Sequence, residues 1–214
     1  TCCAVLISPS GRVVVGNVGD SRAILCRGGQ PSDKKREGKK GITVPLSFDQ
    51  KPTDPRELAR IVECGGFVTE DGRLGGTIGV ARAIGDIDLK QPELIRDDFG
   101  EREEREEREE REEESGLVCD CDLTEMMLLK EDDYILIACD GLWDVMSNSD
   151  VIDYIRSYLR ENPPDKKNLT TTTQHLLIQL IEHAVEDLGS TDNVSVVLIL
   201  LGKTKDQKDQ KDQI

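Results

Sequence analysis

Two buried-type strands, each joined to aspartates, place the strongest constraint on how this chain can fold. The apolar run 135–138 is followed by Asp140, and Asp144 lies one helical step further on. A second apolar run, 194–201, is preceded by Asp192. If the fold lays these strands side by side, the three carboxylates come together, and close carboxylates require a cation. The sequence therefore predicts a site for a hard metal ion where the strands end.

Further strands are predicted near the start of the chain. Short β-type runs occupy 2–7, 13–18 and 22–26, and turn residues separate them at 9–11 and 19–20. Closely spaced strands with such turns are typical of an antiparallel meander. In contrast, Asp120, Asp122 and Glu125 are interpreted as loop acids, because they lack the glycine and the spacing of a calcium loop.

Three helices are predicted from capping residues and apolar periodicity. The first starts at Asp54 as N-cap, with Pro55 at N1 and Glu57 as the reciprocal acid at N3, and it ends at the Gly65-Gly66 pair. Its buried stripe is predicted to be Leu58, Ile61 and Val62. The other two helices have apolar faces within 151–159 and 176–188, the latter closed by Gly189. His175 and His183 fall on this last helix and are interpreted as packing residues.

Composition limits the class of protein. A chain of 214 residues with 36% apolar content fits one domain. Its seven cysteines are an odd number and several lie in apolar runs, which disfavours a disulfide framework and indicates a reducing compartment, cytoplasmic or nuclear. Their spacing does not favour a zinc site. No run reaches the length of a membrane span or resembles a signal peptide. Because Thr1 leads straight into an apolar run, we expect the chain to be part of a longer protein.

The charge is concentrated in one low-complexity segment. The net charge is −15, and residues 97–114 contribute −8 of it through twelve acids and four arginines. Long-range repulsion makes nucleic acid and anionic membranes unsuitable partners. This acidic insert is predicted to be either a solvated helix or disordered, and residues 203–214 a flexible tail. Neither segment is expected to carry chemistry.

Five motifs carry a family resemblance. They are NVGDSRAIL (17–25), DQKPTDPRELARIVECGGFV (49–68), GRLGGTIGVARAIGD (72–86), ACDGLWDVMSN (138–148) and TDNVSVV (191–197). In this order and spacing the chain resembles the type 2C metal-dependent protein serine/threonine phosphatases. The resemblance implies an α+β fold, a four-layer α-β-β-α sandwich of two antiparallel sheets flanked by helices. The catalytic domain would occupy residues 1–202.

The resemblance also implies a chemistry and its residues. Two Mn²⁺ or Mg²⁺ ions, about 3.5–4 Å apart, would activate a shared water that attacks the phosphate of a phosphoprotein. Asp140 and Asp192 would bind these ions directly, while Asp20 and Asp144 would help to hold a third, weaker one. Arg82 matches a position near the substrate flap of the family, although a structural salt bridge explains an arginine there equally well. We expect a monomer.

The chain departs from the family in two places. It lacks the family's N-terminal acidic pair, its Asp-Gly-His-Gly segment and its phosphate-gripping arginine, so it holds about half of the metal shell. It also has Gln50 where the family usually has His, a position expected to be remote from the metals. Three functions stay open: a phosphatase, a catalytically incomplete regulatory module of the same fold, and a phosphotransferase with Asp140 as nucleophile. The last class usually has a second Asp at the position of Leu142.

Overall fold

The computed structural model describes residues 1–28, 41–90, 116–164 and 167–201, and the predicted acidic insert and tail lie outside these residues. Within the described ranges, the strands are β1 (Cys2–Ile7), β2 (Arg12–Val18), β3 (Arg22–Arg27), β4 (Ile42–Pro45), β5 (Asp122–Met127), β6 (Asp132–Ala138) and β7 (Val196–Leu200). The helices are α1 (Pro55–Glu63), α2 (Ile87–Lys90), α3 (Asp140–Trp143), α4 (Asn148–Glu161) and α5 (Leu169–Glu182). No helix in these ranges is long and apolar enough to cross a membrane.

The strands form two sheets. One has the order β1-β2-β5, and the other has the order β4-β3-β6-β7. In the second sheet every neighbouring pair is antiparallel, and β6 lies between β3 and β7. The predicted α+β class, with two antiparallel sheets and flanking helices, is confirmed.

Two expectations about the strands are wrong. The first three strands do not form a meander, because β3 pairs with β4 and β6 in the other sheet. The chain leaves β2 through Gly19, whose φ of +104° interrupts the extended backbone. In addition, Asp122 and Glu125 belong to β5 rather than to a loop. There the residues alternate in burial along the strand, a pattern that the neighbouring acids obscure in the sequence.

Contacts divide the chain into two compact units. The first unit comprises Thr1–Ala4, Gly16–Ser21 and Ser47–Leu123, and the second comprises Val5–Val15, Arg22–Leu46 and Thr124–Ile214. Each has an apolar core of its own. The first is built from Ile61, Leu74, Val80, Ala81, Ala83 and Leu117, and the second includes Ile24, Leu136, Leu142, Trp143, Ile155, Leu176 and Leu180. Both cores combine strand or turn residues with at least one helix.

Helix α1 begins as predicted but turns a different face inward. The carboxylate of Asp54 accepts a hydrogen bond from the Arg56 N–H at 3.0 Å. Glu57 and Ile61 are buried, whereas Leu58 is 38% and Val62 60% exposed. The predicted apolar stripe is therefore wrong at two of its three positions. The reason is that Glu57 faces inward to form ion pairs, and residue 61 follows it on the same face at i+4.

The last predicted helix changes type before it ends. Helix α5 stops at Glu182 and continues as a π-helical turn over His183–Asp187, where the Leu188 N–H donates to the His183 carbonyl at 3.0 Å. This wider turn shifts the phase of the helix. As a result Val185 and Leu188, both predicted on the buried face, are exposed.

Candidate functional site

The segment that carries Asp140 is bonded to the segment that carries Asp192. Cys139 directly precedes Asp140, and its N–H donates to the Ser195 carbonyl at 3.2 Å. Its Sγ donates to the Asn193 carbonyl at 3.1 Å and accepts from the Ser195 N–H at 3.2 Å. One cysteine thus uses both its backbone and its thiol to join the end of β6 to the residues that lead into β7.

Two further contacts close this junction. A Cβ on Gly141 would lie 2.4 Å from the Asn193 carbonyl oxygen, so the two backbones touch at a distance that only glycine allows. The Ser190 hydroxyl donates to the Gly141 carbonyl at 2.6 Å. The bonds through Cys139 and Ser190, together with the Gly141 contact, are called the aspartate junction below.

The carboxylates at the aspartate junction are held by local hydrogen bonds. Asp140 Oδ1 accepts from the Gly141 N–H at 3.0 Å, and Asp192 Oδ1 accepts from the Asn193 N–H at 2.6 Å. Asp144 follows one helical turn after Asp140, with its N–H on the Asp140 carbonyl at 2.8 Å. Asp140 is half-buried, while Asp144 and Asp192 are exposed. These are hard oxygen donors that remain accessible to an ion from solvent.

The donor set fits a divalent ion only in part. Among the described residues, no group of three or more His, Cys, Asp or Glu side chains is close enough to hold a metal ion. Two aspartates on adjoining segments supply fewer oxygens than the six that Mg²⁺ or Mn²⁺ prefers. Asp140 and Asp192 can therefore contribute to a metal shell, and other groups must complete it. Their role as ligands stays a prediction.

Asp20, the third candidate ligand, lies in a turn of the first unit and is 7% exposed. The Asn17 amide donates to the carbonyls of Gly19 and Phe48, at 3.0 and 3.1 Å, while Asn17 Oδ1 has no partner among the described residues. Gln50 bonds to this turn, since its Oε1 accepts from the Gly19 N–H at 2.7 Å, and its expected remoteness from the metals stays a prediction. The residue before Asp20 is thus fixed by a buried amide.

Arg82, the candidate substrate contact, is engaged in ion pairs. Its guanidinium bonds Glu57 through Nη2 at 2.6 Å and Asp122 through Nη1 at 2.9 Å. Arg60 bonds the same Glu57 carboxylate at 2.9 Å. Of the two roles that the sequence leaves open for Arg82, the salt bridge is the one present. A contact with substrate stays a prediction.

This network sets the ionisation of its acids. Burial by itself raises the pKa of Glu57, but hydrogen bonds from Arg82 and Arg60 and their positive charges outweigh it, so the pKa lies below its ordinary value. Burial also raises the pKa of Asp122, but a hydrogen bond from Gln50 and the charge of Arg82 outweigh this effect, so the pKa is lowered overall. Both carboxylates are therefore ionised at neutral pH.

Several residues that make these contacts in one unit or the other were not predicted from the sequence. Cys139 and Ser190 lie inside or beside the motif segments, but their thiol and hydroxyl bonds depend on a partner about fifty residues away. Gln50 stood out only as a departure from the family. For Glu57 the sequence predicts helix capping, a local role that an acid at N3 often has. In each case the partner is distant in sequence, so local pattern could not identify it.

Comparison with known proteins agrees with the motifs. The family model described as protein phosphatase 2C matches residues 1–194. "Probable protein phosphatase 2C 2" of Oryza sativa subsp. japonica is 32% identical over 191 residues, covering 89% of this chain and 40% of that protein. "Probable protein phosphatase 2C 42" of the same organism is 33% identical over 202 residues, covering 93% of this chain and 47% of that protein.

A solved phosphatase structure also resembles this chain. The "Crystal structure of a phosphatase from a pathogenic strain Toxoplasma gondii" matches with a TM-score of 0.63 and 26% identity, covering 90% of this chain and 49% of that one. The chain thus spans less than half the length of each of these relatives. The family match nevertheless covers nearly all of the described residues, and the chain belongs to the protein phosphatase 2C family.

Proposed function

We propose that this chain is the metal-binding part of a protein serine/threonine phosphatase that hydrolyses phosphoserine and phosphothreonine in proteins. The observation that supports it most directly is the aspartate junction, which bonds the segments of Asp140 and Asp192 to each other. Such a junction is useful to a metal centre, since two carboxylates must keep a fixed separation to share ions. A purely structural junction would not need an aspartate on each side.

In this proposal each predicted residue has a separate task. Asp140 and Asp192 hold Mn²⁺ or Mg²⁺, and Asp144 and Asp20 contribute to a weaker ion. When bound, the ions would lower the pKa of a shared water so that it can act as the nucleophile on phosphorus. The described residues hold and space the carboxylates. No catalytic group beyond these ligands is assigned in this chain.

Arg82 is retained as the candidate for binding the phosphorylated peptide. Its two carboxylate partners differ in exposure, since the Glu57 side chain is 2% and the Asp122 side chain 45% exposed. Glu57 would keep the guanidinium in place, while the bond to Asp122 would give way to a substrate phosphate. We further propose that the phosphatase acts as a monomer in the cytoplasm or nucleus, where reducing conditions suit its seven free thiols.

Mn²⁺ binding tests the proposed ligands without relying on activity. In a calorimetric titration we expect the 214-residue chain to take up Mn²⁺, and Asp192→Asn to weaken that uptake roughly tenfold or more, because a neutral amide is a poorer ligand than a carboxylate. Glu125→Gln is the matched control, since Glu125 is an exposed acid on β5 that pairs with Arg12. Equal Mn²⁺ affinity in the wild type and Asp192→Asn would contradict the assignment.

Activity is the second measurement. Hydrolysis of p-nitrophenyl phosphate with Mn²⁺ would be compared between this chain and a chain extended upstream by its native gene sequence. Because the described donor set is partial, we expect substantial turnover in the extended chain and little in this one. In the extended chain Asp192→Asn should abolish turnover, whereas Glu125→Gln should retain it.

A second candidate is a regulatory module of the same fold that does not turn over substrate. It is favoured by one observation, namely that the described residues contain no three-member cluster suited to a metal. Under this alternative neither form would take up Mn²⁺ or hydrolyse the substrate, while both would remain folded. Capture of a phosphorylated Asp140 would instead support the phosphotransferase hypothesis.

A further inference from the structure

Gln50 is a fully buried polar side chain that no part of the proposed chemistry uses. It is 0% exposed and belongs to the same unit as the Asp20 turn. A buried amide must satisfy its donor and acceptor atoms within the protein, or its burial is costly. The hydrogen-bond partners of Gln50 therefore indicate which groups it holds in place.

The Gln50 side chain bonds to Asn17 and Gly19, which lie just before Asp20 in the chain. Its Oε1 accepts from the Gly19 N–H at 2.7 Å, and its Nε2 donates to the Asn17 carbonyl at 3.3 Å. Its own backbone N–H donates to the Gly19 carbonyl at 3.1 Å. Gly19 is thus bonded to one residue through both its N–H and its carbonyl.

The turn contains a glycine, the residue with the greatest backbone freedom, so its geometry depends on these bonds. Gly19 has a φ of +104°, and a Cβ there would lie 2.3 Å from Thr1 Cγ2. Its conformation is one that other residues rarely adopt, so the position requires glycine. Asp20 follows directly, so the backbone of this turn sets the position of its Cα.

On the other side Gln50 contacts the arginine network. Its side chain donates a hydrogen bond to the Asp122 carboxylate, which is paired with Arg82. The Gln50 carbonyl accepts from the Ala81 N–H at 2.8 Å, next to Arg82 in the chain. The same residue therefore contacts the turn of a predicted metal ligand and the segment of the predicted substrate contact.

We propose that Gln50 is a positioning residue that fixes Asp20 for metal binding through the Gly19 turn. This inference rests on the proposed function and deepens it, because it assigns a task to the residue at which the chain departs from its family. An amide suits the task, since it donates and accepts at the same time without a net charge. A carboxylate at position 50 would face Asp122 and lose the donor.

A double-mutant cycle with Mn²⁺ tests the proposal. The 214-residue chain, Gln50→Met, Asp20→Asn and the double variant would be titrated with Mn²⁺ by calorimetry, with paramagnetic broadening of the Asp20 amide signal as a second readout. Methionine nearly matches glutamine in length but cannot make its hydrogen bonds. We expect Gln50→Met to weaken the Asp20-dependent affinity about three- to tenfold, the range that one lost hydrogen bond gives.

The decisive comparison is in the Asp20→Asn background. If Gln50 acts through Asp20, then Gln50→Met changes Mn²⁺ affinity no further there. Ile61→Val is the control for general loss of stability, because Ile61 is buried in the core of the same unit, a cluster that includes neither Gln50 nor the Gly19 turn. It should leave Mn²⁺ affinity unchanged. Faster hydrogen exchange of the Gly19 amide in Gln50→Met would confirm that the turn is released.

The outcomes separate this inference from the function on which it rests. Additive effects of the two substitutions, or wild-type Mn²⁺ affinity in Gln50→Met, would overturn the positioning role alone. A wild-type chain that takes up no Mn²⁺ would overturn the proposed function together with it. If Gln50→Met does not fold, Gln50→Asn replaces it, since the shorter amide keeps its polarity but no longer reaches Gly19, and the same expectations apply.

Discussion

At the scale of single residues, the role of a side chain depended on partners that its local sequence does not reveal. Glu57 stands at N3 of α1, where an acid commonly returns to cap the helix. Here it is 1% exposed and bonded by two arginines, one of them 25 residues away. The arginines rather than the helix terminus therefore decide its orientation, because an unpaired buried carboxylate costs more than a missing cap.

Glu57→Gln should destabilise the first unit. The substitution keeps the shape of the side chain but leaves Arg60 and Arg82 without their shared carboxylate, and breaking such a buried pair costs about 3–5 kcal/mol. The free energy of unfolding at pH 7, measured by urea denaturation, should fall by this amount. Glu125→Gln, which removes an exposed ion pair with Arg12, should change it by about 0.5 kcal/mol or less.

The loss of stability in Glu57→Gln should depend on pH. The folded pKa of Glu57 lies below its ordinary value of 4.5, so its contribution is fully present above that value and is lost as the pH falls through the folded pKa. The difference in unfolding free energy between wild type and Glu57→Gln should therefore be constant from pH 7 to about 5 and should shrink below 4.5. A difference that stays constant down to pH 3 would contradict the lowered pKa.

At the scale of secondary structure, the sequence predicted most elements but not their assembly. Strand β1 has the predicted bounds, and α1 lies where the capping residues placed it. In contrast, nothing local indicated that β3 would join the second sheet or that α5 would end in a π-helical turn. Periodicity reports which residues are apolar, whereas strand pairing and helix phase depend on contacts between distant segments.

The sign of the change in unfolding free energy in Gly141→Ala tests the aspartate junction. Gly141 lies in α3, where alanine is intrinsically favoured over glycine by up to about 1 kcal/mol. The new Cβ would however lie 2.4 Å from the Asn193 carbonyl oxygen, a backbone atom that cannot move aside cheaply. We expect the contact to dominate, with a net loss of about 1–3 kcal/mol in the free energy of unfolding.

Gly79→Ala is the matched control for this prediction. A Cβ at Gly79 meets nothing within 4 Å, and its φ lies outside the left-handed region. Thermal or urea unfolding should therefore show little change, within about 0.5 kcal/mol. If Gly141→Ala were as stable as Gly79→Ala, the two aspartate segments would not be in contact in solution.

At the scale of the whole molecule, the sequence identified a family more completely than it defined a site. The motifs predicted the α+β class and the two aspartate segments, and the family match covers residues 1–194. The metal shell could not be completed, because its remaining donors are absent from the motifs of this chain and from any cluster in the described residues. A ligand set is a property of segments brought together, so part of a chain can show the family without showing the whole centre.

The net charge of the whole chain predicts how its melting temperature depends on salt. The chain carries −15, of which residues 97–114 contribute −8 and all other residues −7. Repulsion between like charges opposes the compact state and is screened by salt, with a Debye length of about 10 Å at 0.1 M. The melting temperature of the intact chain should therefore rise by about 2–4 °C between 0.02 and 0.5 M NaCl.

Replacing residues 97–114 with a Gly-Ser linker of equal length should reduce this rise to about a quarter, because it lowers the net charge from −15 to −7 while keeping the connection, and self-repulsion scales with the square of the net charge. Mn²⁺ affinity should be unchanged at 0.5 M NaCl, where screening removes the long-range attraction of the acids for cations. An equal salt response in both chains would mean that the folded units do not experience the charge of this segment. If the linker chain binds Mn²⁺ more weakly than the intact chain at 0.5 M NaCl, the segment supplies ligands, which its sequence does not predict.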